Sequence, residues 1–403
     1  MNSTILTLLL AAAIAMTACG GPTTLIKAGK PGGDTTVSEE EKADMSTFCN
    51  EFARVAAATS PAHQNTLVSP LSAYYALAMA AEGAAGNTRA EFDAVMGTPD
   101  GQSVAALTNH LSALDGTTLN IANSVWLDEG FTAKETWLGD LSKNYLAAVF
   151  QTELDTAVPK VNGWIEDKTN DLIKNMLAEG DTAGARALII NAIYLDAEWQ
   201  SQFDANATVK GRKFTNFDGG VSIADYLYAK RVQSVIDTDD LTGVVLPYSD
   251  GNLAFVAVIA DDASIPAADV TAMVADAGGY AALADTAAEE NIKLYLPKFE
   301  HEASLSLVDV LTEMGIETAF TGAADFSGIA EEPLCISNVL QNAYLRVDEE
   351  GTEAAAATIV MMKTTSAFPG ADIRTIDFCR PFTFAVVDRT TGAVLFCGEH
   401  NIA

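Results

Sequence analysis

The amino-acid sequence predicts an α+β fold, helical toward its start and rich in strands toward its end. Three observations carry that expectation. Apolar residues recur at helical spacing where the folded part of the chain opens. Alternating or unbroken apolar runs dominate after Leu119. No strand–helix unit repeats along the chain, as a doubly wound parallel sheet would require.

The folded part begins at Asp44, where Met45, Phe48, Phe52 and Val55 lie on one face of an opening helix. Ser69 and Pro70 start a second helix, the serine as N-cap and the proline at the first helical position, where its missing N–H costs nothing. Thr88 and Glu91 read as a capping box for a third helix, closed by Gly97. "LNIANSVWL", Leu119 to Leu127, alternates as a strand does, and "VNGWIEDKTNDLIKNML" returns to helical spacing. "ALIINAIYL", Ala187 to Leu195, is almost unbroken in apolar character, which suits a strand buried on both faces at the centre of a sheet. "TGVVLPYSDGNLAFVAVIAD" reads as two strands around a Ser-Asp-Gly-Asn turn, and "NIKLYLPKF" as another strand. "LSLVDVLTEMGI" is helical, and "PFTFAVVDRTTGAVLFCG" is a hairpin turning at Thr391-Gly392.

With 403 residues, 49% of them hydrophobic, the chain can bury one large core or two ordinary ones. The 54 acidic against 23 basic residues leave a formal charge of −31, so the surface repels nucleic acid and anionic lipid, and polyanions are excluded as partners. Residues 1–18 carry "ILTLLLAAAIAM", an apolar run too short to span a bilayer, and read as a signal peptide for export. Ala18, Cys19 and the glycines after it resemble the lipobox of bacterial lipoproteins. That implies a lipidated Cys19 anchoring the protein to a bacterial outer membrane or cell surface, with simple cleavage and secretion as the alternative. Residues 19–43, rich in Gly, Thr and Pro and without apolar period, read as a flexible tether, and residues 44–403 as the folded domain.

Cys49, Cys335, Cys379 and Cys397 are too scattered for a disulfide framework and are expected to be mostly buried thiols. His63, His110, His301 and His400 lie far apart without metal-ligand spacing, so neither a metal nor a cofactor is expected. An enzyme finds little support. "GVSIA" around Ser222 lacks the second glycine of a nucleophile elbow, and there is no glycine-rich phosphate loop.

The stretch "VDEEGTEAAAAT", Val347 to Thr358, sets local propensity against context. Its four alanines favour helix, yet they follow the strand-like "AYLRV" and precede "IVMMKTTSAFPGADIRT", which looks exposed and cleavable. In an extended chain Thr352, Ala354, Ala356 and Thr358 would share one face while Glu353 and Ala355 point the other way. Small uncharged residues on the inward face could slip between two existing strands without burying a charge or overpacking the interior.

Four separated segments, "NTLVSPLSAYYALAMAAEGAAGNT", "LIINAIYLDAEWQSQF", "LYLPKFEHEASLSLVDVLTEMGI" and "VDEEGTEAAAAT", occur in this order and are followed by "RPFTFAVVDRTTGAVLFCG". Together they resemble the serpin family from about Asp44 to His400. The resemblance implies three β-sheets, about nine helices and an exposed reactive-centre loop over about residues 349–380. It also implies a suicide-substrate inhibitor of serine endopeptidases that acts as a monomer. The target forms its acyl-enzyme on the loop, and insertion of the cleaved loop into the large sheet then traps it. Within the loop, Glu349, Glu350, Gly351, Thr352, Glu353, Ala354, Ala355, Ala356, Ala357 and Thr358 match the hinge.

The family's register, counted from Glu349, puts the scissile bond between Thr365 and Ser366, which suits elastase-like or subtilisin-like enzymes. The bond from Lys363 to Thr364 is the alternative and suits trypsin-like ones; cysteine proteases with a compatible pocket are further partners. Ser69, Ser72 and Asn191 match the family's shutter, and Trp199 the aromatic at the top of the opening. Lys298 with Glu349 matches a pair that anchors the loop base. Gln341 stands where many members have a shutter histidine, and Asn342 where they have lysine. A non-inhibitory member acting as a surface binding or carrier protein is the alternative function; its usual mark, a spoiled hinge, is absent.

Overall fold

The computed structural model describes residues 23–27, 36–61, 64–98, 101–114, 117–352 and 373–403. The signal peptide, Cys19, His63, the hinge from Glu353 to Thr358 and both candidate scissile bonds lie outside the described residues. In chain order the elements begin with β1 (Thr24–Lys27), α1 (Glu39–Thr59), α2 (Pro70–Ala81), α3 (Gly86–Met96), α4 (Gly101–Ser112), β2 (Thr117–Asp128), α5 (Glu135–Asn144), β3 (Ala148–Thr152), α6 (Val158–Lys168) and β4 (Ala187–Glu198). The eight-stranded part opens with β5 (Val209–Thr215), β6 (Val221–Asp237), β7 (Leu241–Pro247) and β8 (Leu253–Ala260), followed by α7 (Ala267–Asp276), α8 (Tyr280–Thr286) and β9 (Ala288–Pro297). The chain then runs through β10 (Phe299–Ser306), α9 (Val308–Met314), β11 (Leu340–Val347), β12 (Gly351–Thr352), β13 (Arg374–Asp377), β14 (Phe382–Asp388) and β15 (Val394–His400).

A seven-stranded sheet has the order β1-β3-β2-β4-β12-β11-β10, so the unbroken apolar run of β4 does lie at its centre. The second sheet runs β13-β9-β6-β7-β8-β14-β15, with β5 added on β6. Strand β6 is 17 residues long and pairs with β5 at its start, β9 along its middle and β7 at its end. Two of the three sheets implied by the family resemblance are therefore continuous through one strand. Helix α2 is buried nearly all round, with Leu71, Tyr75, Leu77 and Met79 sealed off from solvent. Each such side chain contributes about 1.5–3 kcal/mol relative to exposure. Phe48 of α1 meets Tyr74 of α2 edge-on at 5.3 Å, which joins the first two helices through the buried apolar face that Met45, Phe48 and Phe52 share.

Four expectations need correction. The segment 19–43 is not an unstructured tether throughout: Thr24–Lys27 pairs antiparallel with β3 as an edge strand. An exposed sheet edge offers unpaired N–H and C=O groups, and the β-branched, apolar "TLIK" takes them up. Helix α1 begins at Glu39, ahead of the expected Asp44, because Ser38 and Glu41 form a reciprocal capping box.

Thr88 and Glu91 are not the capping box of α3, whose N-cap is Ala85. The Thr88 hydroxyl accepts from the Asp325 backbone N–H at 2.9 Å. Glu91 instead accepts from the N–H groups of Glu317 and Thr318, at 2.9 and 2.7 Å. Finally, helical spacing from Val161 to Leu177 carries a helix only as far as Lys168. Asn170 and Asp171 adopt left-handed backbone at φ 51° and 62° and end it.

Candidate functional site

The centre of the seven-stranded sheet is held apart at one end by two residues of the loop base. Gly351 pairs with Glu198 and Thr352 with Ala197 on β4, and Thr352 also pairs with Val347 on β11. Thus β12 is a strand two residues long that joins β4 to β11. A Cβ on Gly351 would lie 2.0 Å from the Ala197 carbonyl oxygen, so only glycine allows this approach. Thr352 is 1% exposed, and its hydroxyl shares a hydrogen bond with the Tyr248 hydroxyl.

Tyr248 stacks on Trp199 with ring centroids 4.7 Å apart, and Trp199 Nε1 donates to the Asp348 carbonyl at 2.8 Å. The backbone N–H groups of Trp199 and Phe203 donate to the carbonyls of Glu350 and Glu349, each at 2.9 Å. The aromatic predicted for the top of the opening therefore grips the hinge from both sides. Lys298 Nζ lies 2.6 Å from Glu349 Oε2, and Thr208 Oγ1 donates to Glu349 Oε1 at 2.6 Å. Burial alone would push the Glu349 carboxyl up. The hydrogen bonds from Lys298 and Thr208 overcome that and hold it below the usual carboxylate range. Glu349 is ionised at neutral pH, and the loop base is fastened by charge as well as by backbone.

Farther down the sheet lies a cleft of about 410 Å³, lined by the start of β4, the start of β11, α2 and the segment leading into β11. Ser69, Ser72, Asn191 and Gln341 line or border it. The Ser69 hydroxyl donates to the Leu395 carbonyl at 2.6 Å and accepts from the Ser72 N–H at 3.2 Å. Gln341 clamps the backbone of Ser69 with two bonds, Oε1 accepting from its N–H at 2.9 Å and Nε2 donating to its carbonyl at 2.8 Å. A neutral amide thus holds the residue that caps α2. Asn191 Nδ2 donates to Asn123 Oδ1 at 2.8 Å, and Asn123 Nδ2 donates to the Tyr145 carbonyl at 2.7 Å. Among the described residues, Asn191 Oδ1 is buried without a partner, as is Asn342 Oδ1.

Sequence reasoning missed Asn123 and Tyr248. Asn123 was readable as a polar residue interrupting the strand "LNIANSVWL", directly across from Asn191 in the β2–β4 register. One further expectation changes. Of the four cysteines only Cys49 and Cys397 are buried; Cys335 is exposed and Cys379 half-buried, because both lie on connecting segments rather than inward strand faces. His301 and His400, far apart in sequence, meet in the core with Nε2 and Nδ1 3.0 Å apart, since β10 and β15 face each other between the two sheets.

The seven-stranded sheet thus keeps a strand-wide position between β4 and β11 that is part-filled by the base of its own connecting loop. The comparisons agree. The family model described as "Serpin (serine protease inhibitor)" matches residues 43–402, and the chain belongs to that family. It is 32% identical over 351 residues to a serpin-like protein of Methanosarcina acetivorans, covering 84% of this chain and 81% of that one. It is also 32% identical over 353 residues to Iris of Ixodes ricinus, covering 83% and 91%. The native state of the thermophilic serpin tengpin superposes with a TM-score of 0.84 at 26% identity, covering 94% of this chain and all of that one.

Proposed function

We propose that this serpin is a suicide-substrate inhibitor of serine endopeptidases of the elastase, subtilisin or trypsin type. One observation carries the reading: Gly351 and Thr352 already occupy the strand position between β4 and β11, at the end from which the rest of the loop would follow. A protease attacking the loop forms an acyl bond to the residue before the cut. Release of the loop lets it continue β12 down the sheet and carry the attached enzyme with it. A strand of about fifteen residues would add ladder hydrogen bonds of roughly 0.5–1.5 kcal/mol each, on the order of ten kcal/mol before side-chain burial. Inhibition is then a race between insertion and deacylation. The bond from Thr365 to Ser366 is the proposed bait, with Lys363 to Thr364 the second. Export and a lipid anchor at Cys19 complete the proposal, setting the inhibitor where secreted proteases are met.

Incubation with an elastase-like and a trypsin-like protease, followed by a denaturing gel and weighing of the released C-terminal peptide, tests this. A complex that survives detergent together with a peptide beginning at Ser366 supports trapping at Thr365, and one beginning at Thr364 moves the bait to Lys363. Cleavage by both proteases without any stable complex overturns the inhibitory reading in favour of a carrier or binding role.

A further inference from the structure

Strands β6 and β9 turn one face outward where they lie beside β13. Lys230 on β6 stands directly opposite Lys293 on β9, and Thr375 on β13 is level with both. One row along the same face, Tyr228 opposes Tyr295 with ring centroids 4.9 Å apart. One row the other way, Val232 is 57% exposed. Lys230 and Thr375 are exposed and Lys293 is half-exposed, while Ile292, Leu294 and Ile376 on the alternate positions are buried.

Like charges directly opposite each other on paired strands destabilise a sheet. The acids nearby are engaged elsewhere: Asp377 with Arg212, Glu290 with Arg374, and Glu289 with the Ser234 hydroxyl. Among the described residues neither Lys230 nor Lys293 has a carboxylate within ion-pair distance. Strands β5, β6, β9 and β13 together carry seven basic residues against five acidic, in a chain whose acids outnumber its bases by 54 to 23. A cationic face flanked by aromatic rings, kept against the stability of the sheet, fits an acidic protein surface.

Its position says which one. The proposed bond ends at Ser366 and the described chain resumes at Ile373, and an extended chain of that length spans at most about 25 Å. An enzyme domain of about 250 residues has a radius of gyration of about 18 Å. A protease holding the bond therefore lies within reach of the face beside β13.

We infer that the outer face of β6 and β9 around Lys230 and Lys293 is a docking surface for the target protease, and that it selects enzymes with acidic residues beside the active-site cleft. The identity of the occupant rests on the inhibitory reading. Attraction to this face speeds encounter and acts before any strand enters the sheet. Tyr228 and Tyr295 add flat apolar contact with a polar tip.

The test uses the whole chain with Thr365→Lys, which offers trypsin a lysine at the proposed bond. The probes are anionic and cationic trypsin with the catalytic serine replaced by alanine, so binding is read without acylation. Lys230→Glu with Lys293→Glu keeps a like-charge pair, and the unfolding temperature should hardly move. Affinity for anionic trypsin should fall about tenfold or more at about 50 mM salt, with the gap closing at about 500 mM. Cationic trypsin should bind as well as before or better. Lys143→Glu with Lys174→Glu makes the same change of net charge on exposed residues elsewhere and should leave both affinities unchanged. Lys293→Glu alone turns the repelling pair into an attracting one, so it should raise the unfolding temperature while weakening anionic trypsin.

Unchanged affinity in the double variant, equal losses for both trypsins, equal losses from the Lys143 and Lys174 pair, or no binding of either trypsin overturns the inference. A dimer of the chain that the double variant abolishes also overturns it and gives the face to a second copy. If the charge dependence holds but active trypsin leaves no detergent-stable complex, docking stands and the inhibitory reading falls.

Discussion

At position 352 a hydroxyl meets the Tyr248 hydroxyl inside the sheet, in a residue 1% exposed, so any charge placed there must lose its water. Under the proposed inhibitory function, Thr352→Arg should therefore leave the loop cleavable but block entry of the strand, so that the protein is cut without trapping the protease. The expected result on a denaturing gel is complete cleavage with no stable complex; undiminished complex formation would count against insertion. Glu349 gives a second expectation at the same scale. Its carboxyl is held below the usual range, so its share of stability is present above the unfolded value of about 4.3 and is lost as pH falls through the lower folded value. Glu349→Gln keeps a partner for Thr208 but breaks the ion pair with Lys298, whose side chain is 34% exposed. A loss of about 1 kcal/mol is expected at pH 7 by urea unfolding, shrinking in concentrated salt and vanishing well below about pH 4.

At the scale of elements, β12 exists because one residue in it has no side chain. Gly351→Ala drives a methyl into the Ala197 carbonyl, so β12 must leave the gap and Thr352 must leave Tyr248. A destabilisation of about 1–3 kcal/mol is expected in denaturant unfolding. Gly322→Ala, whose added methyl would have nothing within 4 Å and whose backbone is not left-handed, should be neutral or slightly stabilising. Thr352 was legible as a residue turned into the sheet, because a small uncharged side chain on one face of an extended segment suits a place between two strands; the rest of the expected hinge lies outside the described residues. Ser69 with Pro70 was legible for a similar reason: cap chemistry is local. What could not be read depended on pairings made only by the fold. Thr24–Lys27 becomes a strand because β3 leaves an edge beside it. Thr88 and Glu91 have the spacing of a cap but are drawn to Asp325 and Thr318 by packing of distant chain. Gln341 clamps Ser69 across a separation of 272 residues, and no local pattern announces such a clamp.

At the scale of the molecule, two kinds of buried group oppose each other as pH changes. Burial lowers the His301 imidazole to about 4 and also lowers His400, which His301 disfavours further as a neighbouring charge. Unfolded histidines bind protons below about 6.5, so this pair withdraws stability as pH falls from there toward 4. Glu399 behaves in the opposite sense. Burial raises its carboxyl to about 7, with the Thr271 hydrogen bond pulling it down only in part. The folded state then holds a proton that the unfolded chain releases above about 4.3, so Glu399 withdraws stability as pH rises between about 4.3 and 7. The two slopes partly cancel in the same window, which flattens the response of a molecule whose charge reaches −31 at neutral pH. Glu399→Gln removes one of the slopes and keeps an amide that can still bond to Thr271. Denaturant midpoints measured between pH 4.5 and 7 should climb more steeply with pH in the variant than in the parent. The difference across the window should be on the order of 3 kcal/mol if the full displacement of the carboxyl is realised. Parallel profiles would mean that Glu399 is ionised in the fold.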